Sequence, residues 1–355
     1  MNRFQRATLP LALLALVVVG VVGALWLRSH DSGSTVHVTP KTPGPGLPAT
    51  VPVAPPRPGP AAAVQRVADT RLAALGKAGP LIGLADNRPE TLSDPRFRAT
   101  GIKRVRVAVP YDDVALGGER MAVQDRWFAA ARAEGVEPVV TFFRSSRGPK
   151  ILPTPAEFRQ AFRLFRARYP WVRIFSTWNE ANFTAQPTSR DPRRTAAFYR
   201  IARQECSGAR CFVLACDFRP DGTRRSARWL DTFQEAIGPG PHTWGLSSYV
   251  DVDHRSTRLT RDFLRRTRGR VWVNEVGAVN FFGKGLPPDI NRQTRVMAFL
   301  LSRYPRVSRR IQRIYVYHWR AAPGDDLFDS GLLDLHGRPR PAYYEFVLAI
   351  GRPVP

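Results

Sequence analysis

The sequence predicts an α/β fold of the (β/α)₈ TIM-barrel class over residues 61–355. Two observations predict this class. Eight short apolar runs alternate with segments of helical spacing, and strands that alternate with helices indicate a parallel sheet. The eight repeats span about 290 residues, which is the size of a closed barrel of this class. The rival fold, an open doubly wound sheet, requires a glycine-rich phosphate loop after its first strand, whereas Leu-Ala-Asp-Asn-Arg-Pro follows Gly83.

An uncharged apolar segment precedes the predicted barrel. Residues 8–27, about 20 in number, match the hydrocarbon thickness that a helix must cross. Arg3 and Arg6 precede the segment, which predicts that residues 1–7 form a cytoplasmic tail. The sequence therefore predicts one transmembrane anchor. The alternative is a cleaved signal peptide, for which Val22-Gly23-Ala24 offers a small-residue cleavage site.

Residues 28–60 are rich in proline, glycine, threonine and valine and show no periodicity. Their many prolines exclude a helix or a central strand, so they predict an extended, semi-rigid linker. With either interpretation of residues 8–27, everything after them is exported. The sequence thus predicts a single-pass protein of the cell membrane with an extracytoplasmic domain or, after cleavage, a secreted protein.

The predicted strands are eight short apolar runs. They lie at residues 80–86, 105–109, 138–143, 172–178, 212–217, 244–249, 271–275 and 314–319. Helix starts are marked between some of them. Thr154-Pro155 and Asp191-Pro192 each place a proline at the first position of a helix, where it is favourable.

The chain has three cysteines, Cys206, Cys211 and Cys216. In an oxidising compartment a disulfide between Cys206 and Cys211 closes a short loop. The alternative is three reduced thiols that pack as small apolar residues. Cys216 lies inside the fifth run and is predicted to be a buried thiol. No histidine or cysteine pair with metal-ligand spacing accompanies the three, so neither a metal nor another cofactor is predicted.

The formal charge is +25, from 54 basic and 29 acidic side chains. Such a charge raises the question of a nucleic-acid partner. The arginines are spread over every segment, and no zinc-finger, RNA-recognition or basic-zipper pattern accompanies them, so no nucleic-acid partner is predicted. A separate hypothesis is that the positive field holds the domain near an anionic envelope polymer or concentrates an acidic glycan.

In this fold class the chemistry takes place at the C-terminal ends of the strands. The fourth run closes on Trp178-Asn179-Glu180 and the seventh on Asn274-Glu275, which places two carboxylates on roughly opposite sides of the barrel mouth. Glycoside hydrolysis needs two carboxyl groups: a neutral acid for the leaving oxygen and, in a retaining mechanism, an ionised nucleophile. The strand ends therefore predict a carbohydrate polymer or oligosaccharide as the partner.

These motifs resemble those of the retaining glycoside hydrolases of clan A, whose barrels carry catalytic glutamates after strands 4 and 7. The clan's Trp-Asn-Glu-Pro-Asn pattern is similar to residues 178–182, with Ala181 in place of the proline. Residues 275–277 match the Glu-x-Gly pattern of the seventh strand. The resemblance implies that Glu180 is the acid/base and Glu275 the nucleophile of an O-glycosyl hydrolase.

The resemblance also implies roles in substrate binding. Asn179 is implied to bind the hydroxyl next to the anomeric carbon, and Tyr249 to hydrogen-bond the nucleophile. Trp319 is similar to the strand 8 tryptophan that forms the floor of the subsite beside the cleaved bond. Trp178, from the same motif as the acid/base, is assigned to the substrate site with them.

A strand 2 arginine occurs in some members of the clan. Arg106 matches it, although Arg104 competes for the position. Ser247 stands where many members carry a histidine two residues before the tyrosine, which leaves the hydrogen bonds around the nucleophile open. The resemblance covers residues 61–355 and does not choose between the xylosidase/iduronidase-like and the cellulase-like families.

Two alternatives to a hydrolase stay open. One is a non-catalytic glycan-binding barrel, to which the departures at Ala181 and Ser247 give weight. The other is an envelope transglycosylase that uses the same two glutamates, since hydrolysis and transfer differ only in whether water or a sugar is the acceptor.

Overall fold

The computed structural model describes residues 79–208, 211–321 and 327–352. The predicted cytoplasmic tail, membrane segment and linker lie outside these ranges, as do residues 61–78 of the predicted barrel domain, so those assignments stay predictions. None of the helices within the ranges combines the length and the apolar character that a bilayer crossing needs.

In the described residues, nine strands form one parallel sheet. They are β1 (Leu81–Ala85), β2 (Arg104–Pro110), β3 (Glu137–Phe143), β4 (Ile174–Ser176), β5 (Phe212–Leu214), β6 (Asp217–Phe218), β7 (His242–Ser247), β8 (Gly269–Val276) and β9 (Ile311–Tyr317). Their order in the sheet is β5-β4-β3-β2-β1-β9-β8-β7-β6. Because all pairs are parallel, every strand has its C-terminal end at the same edge of the sheet.

The outermost strands β5 and β6 share the fifth position of the barrel. The sequence predicts a single strand over residues 212–217, but the structure divides it, so that β5 pairs with β4 and β6 pairs with β7. Backbone hydrogen bonds continue across the division. Ala215 donates to the Thr243 carbonyl at 2.8 Å, and Asp217 donates to the Trp178 carbonyl at 2.8 Å. The predicted parallel α/β barrel is confirmed.

The described residues form eleven α-helices: α1 (Pro89–Ser93), α2 (Pro95–Thr100), α3 (Asp113–Leu116), α4 (Gly118–Ala133), α5 (Pro155–Arg168), α6 (Pro192–Cys206), α7 (Arg224–Ile237), α8 (Tyr249–Asp253), α9 (Arg258–Arg266), α10 (Ile290–Ser302) and α11 (Pro341–Ala349). Both predicted helix starts are confirmed. Thr154 and Glu157 form a reciprocal capping box at the start of α5. The Asp191 side chain caps α6 by accepting from the Arg194 backbone at 2.8 Å.

The inside of the barrel changes from apolar to polar along the strands. One group of inward side chains is apolar and buried: Ala85, Val139, Ile174, Leu214, Trp272 and Tyr315. Two residues further along β3, β4 and β8, the inward side chains are polar and buried: Thr141, Ser176 and Asn274. Buried polar groups must find hydrogen-bond partners inside the protein. This polar layer is the base on which the site at the barrel mouth is built.

A disulfide joins Cys206, at the end of α6, to Cys211, just before β5, with the two Cα atoms 5.3 Å apart. These are the two cysteines between which the sequence predicts a bridge. Cys216 is a free and buried thiol whose pKa is raised well above its usual value by burial.

Candidate active site

Glu180 and Glu275 lie close together at the C-terminal mouth of the barrel. Glu180 follows β4 and Glu275 lies in β8, and each residue is 3% exposed. Arg106 donates from Nη1 to Oε2 of Glu275 and from Nη2 to Oδ1 of Asn179, the residue before Glu180, so one buried guanidinium joins the surroundings of the two glutamates. The structure thus brings together the two residues that the sequence assigns to catalysis.

Two donors hold the carboxylate of Glu275. Arg106 on β2 donates from Nη1 to Oε2 at 2.5 Å, and Tyr249 donates from Oη to Oε1 at 3.2 Å. Both donors are buried. A guanidinium hydrogen bond is stronger to an ionised carboxylate than to a neutral acid. The surroundings of Glu275 therefore suit an ionised nucleophile.

An irregularity in β8 directs two consecutive side chains into the barrel. The register of β8 against β9 shifts between Val273 and Val276. An extra residue in a strand interrupts the alternation of its side chains between the two faces. Asn274 and Glu275 consequently both face inwards, where Asn274 hydrogen-bonds to Asp217 at 2.7 Å.

Glu180 adopts a left-handed backbone conformation, with φ of 44°. For a residue with a side chain this conformation costs on the order of 1–3 kcal/mol and occurs mostly at functional sites. Hydrogen bonds on both sides hold it in place. Asn179 donates its backbone N–H to the Phe142 carbonyl at 2.7 Å, and Ala181 donates to the Asp217 carbonyl at 2.9 Å. The neighbouring strands thus fix the direction of the Glu180 side chain.

Burial raises the pKa of Glu180 to about 7, and the charges of Glu275 and Asp217 act in the same direction. The positive charges of Arg219 and Arg106 oppose this rise. Arg219 is the nearer of the two in the ion pairs of the described residues, with Nε 3.8 Å from Oε1 of Glu180. A carboxyl group with a pKa near 7 holds its proton in a large share of molecules at neutral pH and is able to donate it.

Asp217, at the start of β6, is the centre of the polar layer. Its Oδ1 accepts from Ser176 Oγ at 2.6 Å and from Asn274 Nδ2 at 2.7 Å. Its Oδ2 accepts from Arg106 Nη2 at 3.0 Å and from Thr141 Oγ1 at 3.2 Å. Four strands thereby converge on one fully buried carboxylate.

Arg106 hydrogen-bonds to Glu275 and to residues close to Glu180. Its Nη2 donates to Asn179 Oδ1 at 2.5 Å, in addition to its bonds with Asp217 and Glu275. Asn179 thereby lies within the site, as the sequence predicts. Arg104, the competing arginine, lies two residues earlier in β2 and thus one inward position further from the mouth.

Trp319 does not reach the position predicted for it. Its ring packs between Phe97 and Tyr343 in the helix layer, and its Nε1 donates to Asp94 Oδ2 at 3.0 Å. The cause lies in the end of β9, which stops before this residue, so that the alternation of the strand no longer governs its direction. The backbone N–H of Trp319 instead donates to Asp86 Oδ2 at 2.9 Å, which turns the chain towards β1.

Tyr317, the last residue of β9, is the inward aromatic side chain of this strand nearest the barrel mouth. It packs against the apolar cluster inside the barrel that includes Tyr315, and against a second cluster that includes Tyr249 and Phe328. It is half-buried, whereas Trp319 is 1% exposed. Tyr317 thus occupies the side of the cleft at which the sequence analysis placed Trp319.

Trp178 packs behind the site. It is fully buried, its Nε1 donates to Gln186 Oε1 at 3.2 Å, and its ring stacks on Phe198 of α6 with centroids 5.4 Å apart. In this position the indole supports the end of β4 from the helix side and does not face the cleft.

Four further residues belong to the site: Asp217, which the sequence leaves open as a substrate contact or a loop cap, and Arg219, Asn274 and Tyr317, to which it assigns no role. Each lies within two residues of the C-terminal end of one of the eight apolar runs, which is the signal that points to them. Arg219 is buried beside Glu180, with its guanidinium over the ring of Phe183 at 4.3 Å. Its importance depends on its contact with Glu180, which no local pattern in the sequence specifies.

Comparison with protein-family profiles gives no match, and no curated protein matches the chain. Solved structures do match its fold. A psychrophilic glycoside hydrolase family 10 endo-β-1,4-xylanase superimposes with a TM-score of 0.57 at 12% identity, over 76% of this chain and 97% of that chain. Penicillium canescens endo-1,4-β-xylanase XylE gives 0.56 at 12% identity, over 82% and 98%. Bacteroides uniformis β-glucuronidase 2, bound covalently to cyclophellitol-6-carboxylate aziridine, gives 0.51 at 12% identity, over 76% and 35%.

At these identities the similarity is one of fold. The resemblance to the barrels of clan A glycoside hydrolases, which the residue motifs predict, is confirmed at that level.

Proposed function

We propose that this chain is a retaining glycoside hydrolase that cleaves O-glycosidic bonds of an oligosaccharide or polysaccharide. One observation carries the proposal: two buried glutamates at the barrel mouth have opposite environments. Glu275 accepts hydrogen bonds from Arg106 and Tyr249, whereas burial raises the pKa of Glu180 to about 7. Two carboxyl groups that differ in this way are what an acid and a nucleophile require.

The proposed reaction has two displacements. In the first, a Glu275 oxygen forms a bond to the anomeric carbon as the bond to the leaving oxygen breaks, and Glu180 gives its proton to that oxygen. In the second, Glu180 takes a proton from water, the water oxygen bonds to the anomeric carbon, and Glu275 is released. Arg106 and Tyr249 hold the nucleophile in place, and Asn179 lies beside them to contact a sugar hydroxyl.

We further propose that the barrel works outside the cytoplasm, joined to the membrane through residues 8–27 or released after their cleavage. The Cys206–Cys211 disulfide supports an oxidising compartment, because such bonds are rare in the cytosol. The apolar character and length of residues 8–27 support an export signal.

Covalent labelling tests the activity. The full chain is incubated with a panel of cyclophellitol aziridines of different sugar configurations, the class of compound bound to the β-glucuronidase named above. We expect one adduct, which peptide mapping places on Glu275, and release of sugar from the matching glycoside. Glu275→Gln should give neither, while Glu235→Gln, at an exposed position of α7, should behave as the wild type.

The other outcomes separate the alternatives. A folded chain that binds glycans but gives no adduct and no turnover is a glycan-binding barrel and contradicts the proposal. An adduct on Glu275 with sugar acceptors preferred to water indicates a transglycosylase. The same labelling on intact cells with a membrane-impermeant probe tests the location, because an adduct that forms only after lysis contradicts an extracytoplasmic barrel.

A further inference from the structure

Asp217 is a third carboxylate in the site, and the two displacements assign it no bond to make or break. It is fully buried and directly contacts Arg106, which in turn contacts Glu275. We propose that Asp217 is a positioning residue that keeps Glu180 in its protonated, proton-donating form by supplying the second negative charge that Arg106 and Arg219 require. This inference rests on the proposed hydrolase function.

The site encloses charges of both signs. Arg106 and Arg219 contribute two positive charges, and both are buried. When Glu275 and Asp217 are ionised, these two carboxylates already balance the two guanidinium groups. Ionising Glu180 as well would add an unbalanced charge to a buried site, which is costly. If Asp217 carried no charge, Glu180 itself would become the balancing anion and would give up its proton.

The contacts show how Asp217 has this effect. The guanidinium of Arg106 is divided between Glu275, at 2.5 Å from Nη1, and Asp217, at 3.0 Å from Nη2. The negative charge of Asp217 offsets part of the attraction that the Arg106 guanidinium exerts on an anion at Glu180. Arg219 is the cation closest to Glu180 among the described ion pairs, but at 3.8 Å it makes no hydrogen bond with it.

A glycine on the neighbouring strand leaves space for the Asp217 carboxylate inside the barrel. Gly245 on β7 faces Asp217, and a Cβ atom at that position would lie 1.9 Å from Oδ1 of Asp217. Any other residue at Gly245 would displace the carboxylate. Two residues further along β7, Ser247 replaces the histidine of the related motif, and its hydroxyl has no hydrogen-bond partner within the described residues. Arg106, which holds the nucleophile, hydrogen-bonds to Asp217 on β6.

Asp217→Asn tests the proposal, because it removes the charge and nearly preserves the size of the side chain. We expect the alkaline limb of the pH dependence of kcat/KM to move to lower pH by roughly one unit. At pH 7, kcat/KM for a glycoside with a sugar leaving group should fall about fivefold, and by nearly tenfold at higher pH, because a smaller share of Glu180 then holds the proton for general acid catalysis. For a dinitrophenyl glycoside, whose leaving group needs no proton, kcat/KM should fall much less.

Ser176→Ala is the matched control. It removes a hydrogen bond to Asp217 but no charge, so the alkaline limb should keep its position whatever happens to the rate. A folded Asp217→Asn variant overturns the proposal if its alkaline limb does not move. It also does so if kcat/KM falls equally for the two kinds of leaving group. A wild-type chain without turnover or Glu275 labelling contradicts the hydrolase function instead, so the two failures are distinguishable.

A second variant covers the case in which Asp217→Asn does not fold. Arg219→Gln removes one of the two positive charges and leaves Asp217 untouched. The charge balance then predicts the opposite shift: the alkaline limb should move to higher pH, because a cation that opposes the protonation of Glu180 is gone. A limb that stays in place or moves down in this variant overturns the account.

Discussion

Glu180 and Glu275 carry the same functional group, and the residues around them make the two groups chemically different. Glu275 accepts hydrogen bonds from a guanidinium and a phenol. Glu180 is equally buried, but it has one cation near it at 3.8 Å and two other carboxylates close by. A buried carboxyl with few donors favours its neutral form. The division of roles between acid and nucleophile follows from these neighbours.

The pKa of Glu180 leads to a prediction about pH dependence. Its value of about 7 lies above the ordinary 4.5, so the proton is held below pH 7 and is lost as the pH rises through that value. Since the neutral form is the acid, we expect kcat/KM for a sugar leaving group to fall above about pH 7, approaching tenfold per unit. Steady-state rates at several pH values measure this. A rate that still increases between about pH 7 and 9 would contradict Glu180 as the acid.

The sequence identifies some site residues and not others, for a physical reason. Glu180, Glu275 and Asn179 stand at the ends of apolar runs, and a parallel barrel brings all such ends to one rim. Trp319 follows the same logic but lies beyond the end of β9, where backbone contacts with Asp86 decide its direction. Asp217 is significant because of contacts with four other strands, and no local pattern encodes such contacts.

At the level of secondary structure elements, the residue of the loop after β4 that departs from the clan motif makes a backbone hydrogen bond to a neighbouring strand. Ala181 stands where the motif has proline, and its backbone N–H donates to the Asp217 carbonyl at 2.9 Å. Proline has no N–H to donate. The alanine that departs from the motif therefore makes a hydrogen bond that connects the chain next to the strained Glu180 with β6.

Ala181→Pro should consequently destabilise this chain even though it restores the clan motif. It leaves the buried Asp217 carbonyl without this partner, which costs about 1–3 kcal/mol. For a domain of this size, we expect the Tm to fall by about 2–4 °C per kcal/mol. Thermal unfolding followed by circular dichroism measures the change.

Ala181→Gly is the control for this prediction. It keeps the N–H and removes only a methyl group, so it should lose less stability than the proline variant. An Ala181→Pro variant that melts at the wild-type temperature would show that the bond to Asp217 contributes nothing.

The strands show how far pattern alone specifies the fold. Seven of the eight predicted runs match one strand each, because apolar runs bounded by helices leave few alternatives in a parallel sheet. The fifth run is divided into β5 and β6. The shift of β8 against β9 is likewise absent from the sequence pattern. Both irregularities depend on side chains that meet inside the barrel, and they place Asp217 and Glu275.

At the scale of the whole molecule, the dominant feature is an excess of positive charge. Several surface arginines are paired, as in Arg98 with Glu134 and Arg163 with Glu205, and such pairs contribute little to stability. The formal charge of +25 leaves many more arginines than carboxylates to pair with. A field of this sign attracts polyanions over roughly a Debye length, about 10 Å in 0.1 M salt.

This charge predicts a difference between acidic and neutral glycans. If the field concentrates an acidic substrate, kcat/KM for a carboxylated polysaccharide should fall severalfold or more as salt rises from about 0.02 to 0.5 M, because screening slows the encounter. For the neutral polymer with the same backbone, or for the carboxyl-reduced form of the acidic one, the rate should be nearly unchanged. Those two polymers are the controls for general effects of salt on the fold. Equal salt dependence on all three would show that the charge plays no part in substrate capture.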